Sequence, residues 1–136
     1  MVSGVASSFW VRWMLVSEDR DSAVVHIARG APRRWYSQTA EPFGIEDAPT
    51  RFGKVTYELQ ALSNGSVRGS IAVVLNEGAE VPMVAVKIRA PDKAKPLRGH
   101  LVFDDDGDST VTAWHAANET ALIRFGQKTT FNFTAS

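Results

Sequence analysis

Cysteine is absent from the chain of 136 residues. That excludes disulfides, thiolate metal centres and a cysteine nucleophile. An excess of one charge is absent too, because 15 Lys and Arg balance 15 Asp and Glu. A chain without net positive charge has no general pull on a polyanion, so no nucleic acid partner is expected. Long apolar runs are missing. The most apolar window, "FWVRWMLV" over residues 9–16, is short and contains Arg12, whereas a membrane helix needs about 20 residues. No membrane association is expected. The opening "MVSGVASSFW" has no basic segment ahead of an apolar stretch, so it is not expected to act as a secretory signal. The compartment is left open. Also missing are amphipathic helical periodicity, a G-x-S-x-G elbow and a phosphate loop. His26, His100 and His115 are scattered and show no zinc spacing. His26, inside an apolar run, reads as a hydrogen-bonded core histidine.

What is present is period-2 alternation, the mark of strands with one wet face. In "KVTYELQAL" Val55, Tyr57, Leu59 and Ala61 alternate with Lys54, Thr56, Glu58 and Gln60. Asn64-Gly65 then separates this run from "SVRGSIAVVL", the strongest short hairpin signal. The second run puts Val67, Ile71, Val73 and Leu75 on one face. "MVAVKIR" sets Val84, Val86 and Ile88 against Ala85, Lys87 and Arg89. "FWVRWMLV", "AVVHIA", "LRGHLVF", "STVTAW", "ETALIRF" and "KTTFNFTAS" supply further strand-like runs between turn residues. The pattern predicts an all-β fold: a single domain over residues 1–136, an antiparallel β-sandwich of about eight or nine strands, with a barrel as the second choice.

One connection stands out. "RGAPRRWYSQTAEPFGIEDAPTRFGKV", residues 29–55, lies between two strand-like runs. Pro32 can open a short helical turn. Pro42 and Pro49 favour an extended path, and Phe43, Ile45 and Phe52 are too apolar to remain in solvent. The connection is expected to be an ordered strap that packs aromatic rings over one edge of the sandwich.

The order "VVHIARGAPRRWY … GIEDAPTRFGKVTYEL" resembles the C-terminal β-domain of bacterial glycoside-hydrolase-like proteins whose main body is an α/α barrel. In that group an LHL-x-PR-x-W run precedes an I-x-V-x-NAPT-x-FG-x-V run. The matching residues are His26, Pro32, Arg33 and Trp35, then Ala48, Pro49, Thr50, Phe52, Gly53 and Val55. "MLVSED" and "AANETALIRFGQKTTFNFTA" are similar to the same domain, so the resemblance spans most of the chain. The chain departs from it in carrying "IED" where the group more often has "VEN", and in lacking the helical catalytic body. The resemblance implies a polysaccharide-processing context and an accessory role. It implies no activity.

The expected function is therefore a non-catalytic carbohydrate-binding or accessory module, with no catalytic residues and no cofactor. Its partner would be a polysaccharide or oligosaccharide, acidic polymers included. Sugar faces pack on indole and phenol rings, with polar side chains at the rim. The candidate binding residues are Trp35 and Tyr36 with Arg33, Arg34 and Gln38, and Trp114 beside His115 and Asn118. Trp10 is a weaker candidate, and Trp13 reads as core. Two basic groups, Arg29, Arg33, Arg34 and Lys87, Arg89, Lys93, Lys95, Arg98, could meet uronate carboxylates. Each of these features also has a plainer reading as core packing or solvated surface. "DDDGD", residues 104–108, reads as a solvated turn, with calcium as the alternative. The rival to sugar binding is a purely structural domain that packs against a helical catalytic partner and holds no small ligand.

Overall fold

The computed structural model describes residues 16–19, 21–36, 42–62, 64–103, 109–126 and 128–136. Trp10, Trp13, Gln38 and the 104–108 turn lie outside the described residues. Among the described residues ten strands form two five-stranded sheets packed as a sandwich. They are β1 (Val16–Glu18), β2 (Val24–Ile27), β3 (Phe43–Pro49), β4 (Gly53–Ala61) and β5 (Val67–Leu75), then β6 (Met83–Lys87), β7 (Leu101–Phe103), β8 (Thr110–His115), β9 (Thr120–Arg124) and β10 (Thr130–Ala135). The first sheet has the order β1-β2-β6-β9-β8, the second β3-β4-β5-β10-β7.

The alternation places the core as read. Val55, Tyr57 and Leu59 of β4 face Val67, Ile71 and Val73 of β5, and all six are buried. Val84, Val86 and Ile88 face inward from the first sheet. Phe131 and Phe133, two apart on β10, are both fully buried in the middle of the second sheet. One pairing departs from the antiparallel expectation: β2 runs parallel to β6, Val25 opposite Val84 and Ile27 opposite Val86. The chain reaches β6 from β2 only after building most of the second sheet, so no tight turn forces the two strands antiparallel. His26 points away from the core that Val25 and Ile27 enter. It is half-buried, with Nε2 at 2.8 Å from Asp19 Oδ1.

The long connection differs from a simple strap. Its first part forms a 3₁₀ turn, Arg33–Tyr36. Its last part is β3 itself, an edge strand of the second sheet. The connection is long because it crosses from the end of one sheet to the edge of the other. "APTRFG" is the tight β3–β4 hairpin. Thr50 N–H and Oγ1–H both donate to Gly53 O, at 2.8 and 2.7 Å. Phe52 N–H donates back to Thr50 Oγ1, and its ring is buried. Gly53 adopts φ +150°, and a Cβ there would meet Val74 O at 2.0 Å, so only glycine fits.

Two edge strands carry β-bulges. In β3 the register shifts between Ile45 and Ala48, with Asp47 left-handed at φ 53°. In β8 it shifts between Val111 and Ala113. Bulges at edges bend the strand and interrupt the row of free backbone groups that would otherwise recruit another chain.

Candidate functional site

The strand registers define one end of the molecule. Ile27 of β2 is level with Val86 of β6, and Lys87 pairs with Thr120, which pairs with His115 of β8. The segments that leave these strand ends are 28–36, 88–100 and 116–119. They meet through Arg33, Ala90 and Glu119 at the strap end.

After β2 the chain turns at Ala28, buried and left-handed at φ 60°. Pro32 O then accepts from Trp35 N–H and closes the 3₁₀ turn. Tyr36, a candidate sugar platform by sequence, is fully buried. Its ring stands edge-on to Phe43 at 5.1 Å, and its hydroxyl donates to Lys87 O. Burial drives its hydroxyl pKa far up. A ring with no exposed face cannot stack on a ligand, so Tyr36 is corrected to a plug between the sheets. Trp35 is half-buried, 5.2 Å from Phe43, and keeps part of its ring at the surface. Arg34 is exposed.

Arg33 is held as a fork on Glu119. Nη2 donates to Oε1 at 2.6 Å, and Nη1 donates to Oε2 at 3.0 Å and to Ala90 O at 2.9 Å. Ala90 N–H donates to the same carboxylate, and Ile88 N–H donates to Glu119 O. Burial pushes the Glu119 carboxyl up. The Arg33 fork and the Ala90 N–H outweigh it and hold the group below the usual carboxylate range. Glu119 itself is left-handed, φ 52°, at the end of the 3₁₀ turn Ala116–Asn118. Sequence reasoning missed this residue because its partner lies 86 positions away.

Trp114 takes a different place from the one alternation suggests. Strict alternation would set Val111 and Ala113 on one face and Trp114 on the other. The β8 bulge instead brings Val111 and Trp114 to the same inward side, opposite the buried Ile123 and Ala121. The Trp114 ring lies against Gly99, where a Cβ would come within 2.3 Å of it. Trp114 thus closes the open edge between β8 and the segment leading to β7.

The structure brings members of the two basic groups together, Arg29 and Arg33 with Lys87 and Arg89. Arg29, Arg33 and Arg34 leave β2, while Arg89, Lys93, Lys95 and Arg98 follow Lys87 out of β6, so all eight reach the strap end. The carboxylates in the same segments are Asp92 and Glu119. Burial, then the neighbouring Arg89, depresses the Lys87 ammonium below its ordinary range, with Arg29 and Arg33 adding to the effect. Arg89 Nε is buried and has no hydrogen-bond partner. Lys95 also lines a cleft of about 510 Å³ between the β4–β5 turn and the segment after β6, with Asn64, Ser66, Asp92 and Leu97. Cations forced together and partly desolvated favour an anion beside them.

The outer face of the second sheet carries a separate polar trough of about 250 Å³, lined by Glu58, Gln60, Arg68, Gly69, Ser70 and Asn132. Among the described residues no group of three His, Asp or Glu side chains is placed to hold a metal ion. No family model, curated protein or solved structure matches the chain.

Proposed function

We propose that the protein is a non-catalytic accessory module that binds an acidic polysaccharide at its strap end. The observation that carries this reading is the approach of Arg29 and Arg33, from the turn after β2, to Lys87 and Arg89 at the end of β6. Guanidinium forks suit carboxylate and sulfate oxygens, and Arg34, Lys93 and Lys95 are exposed to meet them. Trp35, half-buried in the same 3₁₀ turn, supplies an aromatic ring for a sugar ring. The resemblance to a glycosidase-associated domain supports a glycan over other polyanions.

The test is a binding series with alginate, polygalacturonate, hyaluronan and heparin, with dextran as the neutral control and duplex DNA as a rival polyanion. Binding to an acidic glycan should fall steeply with salt, as counterion release requires. The pair Lys93→Glu and Lys95→Glu should weaken it roughly tenfold or more while the fold persists. Tighter binding to DNA than to every glycan would reassign the face. No binding by folded protein at low salt would remove the reading.

A second reading has its own support. The residues that carry the resemblance serve packing: Arg33 clamps Glu119, Trp35 packs on Phe43, and Thr50, Phe52 and Gly53 build a hairpin. That favours a structural domain inherited from a larger protein with a helical partner. Self-association of the purified chain, with no glycan bound, is the result it expects.

A further inference from the structure

We infer that the trough on the outer face of the second sheet is a second saccharide site, for an uncharged stretch of chain. The register builds it. Glu58 on β4, Ser70 on β5 and Asn132 on β10 form one row straight across three strands, and Gln60 with Arg68 stands in the next row. Neighbouring strands are about 4.8 Å apart, so these groups stand at a spacing suited to successive hydroxyls of one sugar ring or of two linked rings. Arg68 Nη2 donates to Gln60 Oε1 at 3.1 Å, which presets both side chains. Among the described residues the Gln60 amide keeps its two N–H donors, and Glu58 and Asn132 make no side-chain hydrogen bond.

The occupant follows from the chemistry of the lining. The Glu58 carboxylate and the Arg68 guanidinium cancel, so the trough has no net charge with which to hold a polyanion. No large apolar side chain lines it, so it lacks the apolar centre of a protein interface. What remains is a dense set of planar donors and acceptors. A neutral ligand rich in hydroxyls satisfies both kinds at once, and planar amide and carboxylate groups can each grip a vicinal pair. The trough lies at the ends of β4 and β5 that adjoin the strap end, because the 3₁₀ turn packs on Phe43 and Phe43 pairs with Leu59. A glycan could thus put charged units on the strap end and uncharged units over the sheet.

This inference extends the carbohydrate reading, and separate variants keep the two apart. The probes are cellohexaose, xylohexaose, mannohexaose and maltohexaose, titrated calorimetrically into the whole chain. At least one should bind, with little change between low and high salt. Glu58→Ala and Asn132→Ala should each weaken it roughly tenfold, the cost of a lost good hydrogen bond. Lys93→Glu with Lys95→Glu should leave it intact. Urea midpoints near the parent value confirm that the trough variants fold. Absence of binding to all four probes, or binding that survives both trough variants, overturns the inference without touching the strap end. Loss of alginate binding in the Lys93→Glu and Lys95→Glu variant, with hexaose binding retained, would support both sites separately.

Discussion

At the strap end the turns gather Arg29, Arg33, Arg34 and the basic residues from Lys87 to Arg98, with Asp92 and Glu119 as the acids. At the far end the strand ends and turns at β1–β2, β3–β4, β5–β6 and β9–β10 carry Glu18, Asp19, Asp21, Glu77 and Glu80 beside Arg51, Lys54, Arg124 and Lys128 among the described residues. Each end holds an arginine–carboxylate pair. Arg33–Glu119 is a short bidentate fork, with side-chain exposures of 26% and 19%. Arg51–Glu18 is a 3.7 Å contact at 44% and 32%. Both pairs tie backbone from two segments together: Glu119 and Arg33 bond to Ala90, while Glu18 accepts from the Arg51 backbone N–H and Arg51 Nη2 donates to Ser22 O. The same two residue types are thus used alike, and what differs is how far water screens each pair. The described charges are spread unevenly between the two ends, which a net charge of zero conceals.

The most damaging change at the strap end is Tyr36→Ala, which empties a fully buried site between the sheets. It should cost about 3–5 kcal/mol, by urea unfolding. If the loss is below about 1 kcal/mol, the plug assigned to Tyr36 is wrong. Next comes the contrast between the two ion pairs. Glu119→Gln leaves Arg33 half-buried without its charge partner and should cost about 1–3 kcal/mol. Glu18→Gln should cost less than about 1 kcal/mol. Equal losses would break the comparison.

The same pair sets a pH dependence. The folded Glu119 value lies below its unfolded value. Its contribution is therefore present above the ordinary carboxylate range and is lost as pH falls through the depressed folded value. The acid limb of stability against pH should flatten in Glu119→Gln. Lys87 has the opposite consequence. Its folded value is lowered, so its charge opposes folding at neutral pH, and stability rises as pH climbs from that lowered value toward the ordinary lysine value. Lys87→Gln should leave stability unchanged or slightly raised while weakening binding to acidic polymers. A variant that loses both would mean that Lys87 serves the fold rather than the ligand. The smallest effect is expected at the β3 bulge. Asp47→Gly relieves a left-handed backbone at an exposed site and should stabilise by a few tenths of a kcal/mol, up to about 1. The readout is the shift in urea midpoint.

Much of the fold was legible because it depends on local pattern. Alternation gave β4, β5 and β6 with the correct inward faces, Asn64-Gly65 gave the hairpin between β4 and β5, and Pro32 gave the short helical turn. The alternation failed where a bulge adds a residue. Trp114 moved to the inside for that reason, and no sequence signal at "TVTAW" marks the extra residue. Tyr36 was misjudged because a phenol ring beside Arg33, Arg34 and Gln38 suggests a sugar platform, whereas the backbone carbonyl that accepts its hydroxyl is 51 residues away. Asp104–Asp108 and Gln38 lie outside the described residues, so the calcium alternative and that rim position gain nothing from the structure.

The sequence by itself determined the class of fold, the inward face of each long strand and the residues that turn the chain, because period-2 patterning and turn chemistry act between near neighbours. Only the tertiary structure decided which charges share a surface. That depends on strand order and on the parallel β2–β6 pairing, which brings the chain leaving both strands to one end. Electrostatic forces act through space across any separation in sequence, so a neutral composition revealed neither the basic end nor the carboxylate of Glu119 at its centre.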